Sequence, residues 1–266
     1  MQGAINKTGA VRFFRCLAVL LLTAGVATGQ SRTGGKAGMV KISGGTYTRF
    51  LADRDGSEVR VKPFLLDVRA VTNEEFLQFV RANPKWARSE ISMLYADAGY
   101  LKHWNSDHSY PAELRNSPVT NVSWYAASAY SKWAGKRLPT MTEWEYAGSG
   151  RIPGQKQSVD KLILGWYSKP IPKVLPPVRS TGMNEYKVFD MHGLIWEWVS
   201  DFNSVIMEGD SRSSSEINKD LFCASGSYSS IDKTNYAAFM RFAFRGSLKA
   251  KYTVNNLGFR CAADMN

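Results

Sequence analysis

Residues 121–147 read NVSWYAASAYSKWAGKRLPTMTEWEYA, and the reading of this stretch decides the fold. Ser123 stands at an N-cap, where its hydroxyl can accept from a free backbone N–H, and WYAASAYSKW behind it makes a short helix. Gly135 follows as the C′ residue that ends it. Thr140 and Glu143 then have capping-box spacing and open a second helix over MTEWEYAGS. Two short, separately capped helices point to a domain with little regular structure for its length. Asn121-Val122-Ser123 also matches a glycosylation sequon, but the capping role accounts for Ser123.

Upstream, MVKISGGTYTRF from Met39 alternates apolar and polar residues and reads as a strand broken by Gly44-Gly45. A second strand, Val59 to Val68, contains Pro63 and is expected at a sheet edge, because proline has no N–H for the ladder. Thr72 and Glu75 form another capping box, and Phe76, Phe79 and Val80 give the stripe of a helix over about 73–82. Residues 83–120 are rich in Trp, Tyr, Pro and Asn and read as long loops held by aromatic packing. Downstream, 150–183 hold five of the ten prolines and read as irregular. A polar loop at 208–220 and strand-like ends at 221–228 and 257–263 complete the chain, which shows no internal repeat.

The 266 residues suffice for one large domain, and 44% hydrophobic content excludes general disorder. Residues 1–29 read as a signal peptide: Lys7, Arg12 and Arg15 precede the uncharged run CLAVLLLTAGVATG, which is too short to span a membrane. Cys16 opens that run after Arg15 instead of closing it, which argues against a lipoprotein. Cleavage before Gln30 leaves a flexible lead-in, 30–38, and a single domain, 39–266, with no transmembrane helix. It also leaves 31 cations against 23 anions, so the net charge falls from +11 to +8, with the basic residues scattered among acids. Nucleic acid is therefore not the expected partner. The expected location is periplasmic or secreted. Of the three cysteines, Cys223 and Cys261 remain, and spacing does not show whether they are bridged.

Taken in order, GGTY 44–47, VKPFLLD 61–67, VTNEEF 71–76, the 121–147 stretch, VFDMHGLIWEWVSD 188–201, SGSY 225–228 and NLGFRCAAD 256–264 form a pattern. It resembles the formylglycine-generating enzyme, or sulfatase-modifying-factor, family over residues 39–264. The resemblance implies an α+β fold, a C-type-lectin-like variant with much irregular loop. It also implies a copper oxidase that converts a sulfatase cysteine to formylglycine, its Cu(I) held by two thiolates, as a soft ion prefers.

Counted from Tyr228, the two family cysteine positions fall on Ser230 and Asn235, whose hard, neutral side chains do not suit Cu(I). The resemblance makes Cys261 a half-cystine, but its usual partner position reads Ser131. It places Ser227 and Trp198 at the cleft, with core packing as the other reading of Trp196 and Trp198, and an altered cleft wall is expected at 235–254, where Arg241 lies. It also suggests a calcium site from Glu197 and the carbonyls of His192, Gly193 and Ile195. His103, Asp107 and His108 are the one compact cluster of other potential metal ligands. Arg241, Arg245, Lys249 and Lys251 could meet an anionic partner or form a solvated face.

The resulting expectation is an exported pseudoenzyme of this family without copper, an accessory or binding protein that acts on an exported protein or peptide. The alternatives are an exported oxidoreductase with cysteine-independent chemistry and, ranked last, formylglycine generation.

Overall fold

The computed structural model describes residues 37–48, 58–203, 240 and 243–265, all within the compact unit Gly34–Asn266. Four short strands open it: β1 (Met39–Ile42), β2 (Gly45–Thr48), β3 (Glu58–Val61) and β4 (Phe64–Asp67). β1 pairs antiparallel with β4 and β2 with β3, so one ribbon is shared between two sheets. The bend falls where Ser43-Gly44 faces Lys62-Pro63. Gly44 has φ +71°, and a Cβ there would lie 2.4 Å from the Val61 carbonyl oxygen, so no other residue fits without displacement.

This corrects the expectation of one edge strand over 59–68. Pro63 sits in the break between two strands, where no ladder donor is needed, and β4 beyond it is the central strand of a sheet ordered β1-β4-β7. The third strand of that sheet, β7 (Ala262–Asp264), comes from the far end of the chain. A small parallel pair joins β5 (Trp196–Glu197) to β6 (Leu257–Gly258).

The helices start where their caps predict. α1 (Asn73–Ala82) begins at a complete capping box in which Thr72 and Glu75 satisfy each other's backbone N–H groups. Glu75 is held in addition by Arg69 at 2.8 and 3.0 Å. α2 (Trp124–Trp133) starts at Ser123, and Gly135 beyond its end takes φ +70°. α3 (Met141–Gly148) opens on the Thr140–Glu143 box.

α4 (Val159–Tyr167) lies inside the stretch expected to be irregular. Val159, Leu162, Ile163 and Trp166 carry its stripe, but the prolines at 153 and 170 on either side hide so short a period.

Aromatic rings fill the space between α1, α2 and the last strands. Phe76 stacks on Tyr130 at 5.8 Å, and the edge of Phe259 meets both rings, at 6.2 and 5.2 Å. The loops of 83–120 are pinned to the same core, as their composition suggests. Trp104 packs on Phe76 and donates its indole N–H to Asn73 Oδ1 at 2.8 Å, and Tyr100 donates to the Trp86 carbonyl at 3.0 Å. The result is mixed helices and small sheets. The expected strand at 221–228 lies outside the described residues.

Candidate functional site

The Gly-Lys-Arg junction between α2 and α3 is a clasp on the end of the chain. Lys136 Nζ meets Asp67 at 2.6 Å with both side chains largely buried. Burial pushes the Asp67 carboxyl up from its ordinary value while the Lys136 contact opposes this. Arg137 forks onto Glu143 with two bonds of 2.7 Å and reaches Asp264 at 2.7 Å. Its backbone also exchanges hydrogen bonds with Ala262.

β5 sets out the central motif. Arg260 is completely buried and donates to Glu197 from Nε at 2.7 Å and from Nη2 at 2.8 Å. Glu197 Oε2 also accepts the Trp144 indole N–H at 2.7 Å, and its side chain is 1% exposed. A bidentate guanidinium–carboxylate pair of this kind satisfies both ions without water. Nothing in the composition flagged Arg260 as the partner; only its place in the GFRC element hinted that it matters.

This geometry bears on calcium, which takes about six to eight oxygen ligands, several of them usually carboxylate. Three of Glu197's acceptor positions are filled, and a dication there would lie against Arg260. The remaining donors, the carbonyls of His192, Gly193 and Ile195, are neutral. His192 itself bonds the Gly148 carbonyl through Nε2 at 2.7 Å and packs its ring against Trp144. As arranged, the set fits a buried ion pair and does not fit calcium. Among the described residues no three His, Cys, Asp or Glu side chains converge to hold a metal.

The two tryptophans of the motif part company. Trp198 is 1% exposed, donates to the Val122 carbonyl at 2.9 Å and packs on Phe202, as a core residue does. Trp196 is half-buried in a group with Trp166, Tyr167 and Phe244, at ring distances of 4.4 to 5.5 Å. Half of that group comes from α4, which is why the sequence did not announce it. Ser227, Ser230, Asn235, Arg241 and Cys223 lie outside the described residues.

The histidine cluster does not assemble. Asp107 binds the Ser89 hydroxyl and N–H, His108 is exposed, and His103 reaches Asn73 at 3.4 Å. His103 Nδ1 and Asn121 Nδ2 are buried without hydrogen-bond partners. Burial, then the charges of Arg88 and Lys102, bring His103 down from 6.5 to about 4.

Cys261 is a buried free thiol with Sγ 3.3 Å from the Ser131 hydroxyl, so these two positions are in contact. Burial raises its pKa, which keeps it protonated and unreactive.

A family model for the sulfatase-modifying factor enzyme 1-like domain matches residues 23–265. The chain belongs to this family. A formylglycine-generating enzyme of Streptomyces coelicolor is 30% identical, with 85% of this chain and 89% of that protein aligned. An inactive C-alpha-formylglycine-generating enzyme 2 of Bos taurus is 29% identical over 85% of this chain and 87% of its own. A serine/threonine-protein kinase pkn1 of Chlamydia caviae is 30% identical, but the alignment spans only 28% of that longer protein. Among solved structures, PvdO from Pseudomonas aeruginosa aligns with TM-score 0.48 and 19% identity over 85% of this chain and 94% of that one.

Relatives called active and inactive are thus about equally similar to this sulfatase-modifying-factor domain. Overall identity does not separate the two classes.

Proposed function

We propose that this chain is a copper-free member of the sulfatase-modifying-factor family, exported to the periplasm or beyond. In this reading it serves as an accessory or binding protein in the maturation of another exported protein. The observation that carries the reading is the pair Ser230 and Asn235 at the two family cysteine positions. A hydroxyl and a carboxamide are poor ligands for Cu(I), which selects thiolates. Cys261 supports it, being buried, protonated and packed against Ser131.

The described part of the domain supports a retained scaffold. The capped helices, the Lys136–Arg137 clasp and the Glu197–Arg260 pair all serve packing, in what we read as the C-type-lectin-like variant of the fold. Arg241 and Arg245 are where we place recognition of a peptide or protein partner. An oxidoreductase reading would need a base or redox centre, and Glu197, the central carboxylate, is committed to Arg260 and Trp144.

The test is direct. Purified protein is incubated with Cys-x-Pro-x-Arg peptides, copper and oxygen, and the products are weighed by mass spectrometry. We expect unmodified peptide; aldehyde formation would overturn the proposal. A Ser230→Cys/Asn235→Cys double variant should gain Cu(I) in competition with a colorimetric chelator. No gain would mean that the two positions are not the family's copper positions.

A further inference from the structure

Met93, Leu94 and Tyr95 are 66%, 78% and 47% exposed, the only run of consecutive exposed large apolar residues among the described ones. Single exposed apolar side chains are ordinary on a surface, but three in a row at one turn are not. The turn holding them is well tied. Tyr95 and Ala96 donate their N–H groups to the Ser92 carbonyl at 2.8 and 3.2 Å, and Ile91 donates to Ala87 at 3.0 Å. The Tyr95 ring rests on Trp86 and Tyr125, at 5.8 and 5.5 Å, so the base of the turn is fixed while Met93 and Leu94 stand clear.

Basic residues lie near that base. Lys85 lies 6.0 Å from the ring of Trp86, which itself carries Tyr95. Asp97 N–H also bonds the Lys251 carbonyl at 2.9 Å, which brings the backbone of the segment carrying the exposed Lys249 and Lys251 next to the end of the turn. Of the nearby acids, Asp97 is engaged by Gly99 and Thr253, Asp107 is held by Ser89, and Glu90 is exposed.

An apolar tip with lysines on the neighbouring segments matches an anionic bilayer surface. The tip can enter the boundary between headgroups and acyl chains while the lysines stay at the phosphates. We propose that the 91–95 turn is a membrane-docking element that seats this domain on anionic phospholipid. Two apolar side chains anchor weakly by themselves, so binding depends on both features together.

The experiment uses the chain from Gly34, which contains the whole described core and omits the N-terminal apolar run. It is sedimented with phosphatidylcholine vesicles with and without phosphatidylglycerol. We expect binding to the mixed vesicles only, weakened by salt. Lys249→Glu/Lys251→Glu should lower the partition constant about 30-fold, at roughly one kcal/mol per cation. Met93→Ser/Leu94→Ser should lower it at least tenfold with unchanged thermal midpoint; should that variant fold poorly, the lysine variant decides alone. Equal binding to neutral vesicles, no binding to either, or wild-type binding by the lysine variant would each overturn the proposal. Failure on vesicles with capture of a protein partner by the same turn would overturn it in favour of a protein interface.

Discussion

Glu197 and Arg260 are two ions sealed from water, and each is tolerable there only because of the other. Glu197→Gln removes the negative charge but keeps the shape, leaving a buried guanidinium without a counterion. The expected loss is about 3–5 kcal/mol in urea denaturation. Adding calcium should not restore it, and chelation should leave the thermal midpoint of the wild type unchanged. His103 gives a second prediction, through pH. Its folded value, about 4, lies below its unfolded value of 6.5, so the unfolded chain binds more protons between the two. Its contribution is complete above about pH 6.5 and is lost as pH falls towards 4, amounting to about 1–3 kcal/mol. Comparing midpoints of wild type and His103→Gln from pH 7 to 4 should show a shallower slope for the variant.

At the scale of elements, the bent ribbon depends on Gly44. Gly44→Ala combines an unfavourable left-handed backbone with a Cβ against the Val61 carbonyl, and should cost about 2–3 kcal/mol. Gly154→Ala is the control: φ is +77° but nothing lies within 4 Å, so only the backbone penalty of about 1 kcal/mol remains. If the two variants lose equal stability, close approach at the bend is not what selects glycine. The elements also show what could be read in advance. α1, α2 and α3 announce themselves because capping is local chemistry, written within three residues of each start. The central place of β4 was not legible, because it depends on β7 arriving from about two hundred residues away, and Pro63 suggested an edge instead. For the same reason Arg260 went unassigned to Glu197, and the Trp196 group lacked its α4 members.

Across the whole molecule, the described core is a few small sheets and short helices joined by aromatic packing and buried ion pairs. Much of its hydrogen bonding is therefore non-local. β4 receives β7, Val71 donates to Phe259, Trp198 donates to Gly258, and Asp67 accepts the Cys261 N–H. Deleting residues 256–266 should then abolish cooperative unfolding altogether and not merely lower the midpoint, which circular dichroism on heating would show. A truncated chain that still melts sharply would mean that the N-terminal elements form an autonomous core. The position of β7 also has a consequence in time. The strand that completes the central sheet lies about two hundred residues after the strand it pairs with, and contacts of such sequence separation form slowly. Until then β4 has an open side and Arg260 has not yet reached Glu197. The sheet therefore cannot close until two segments far apart in the sequence have met, however early the locally capped helices form.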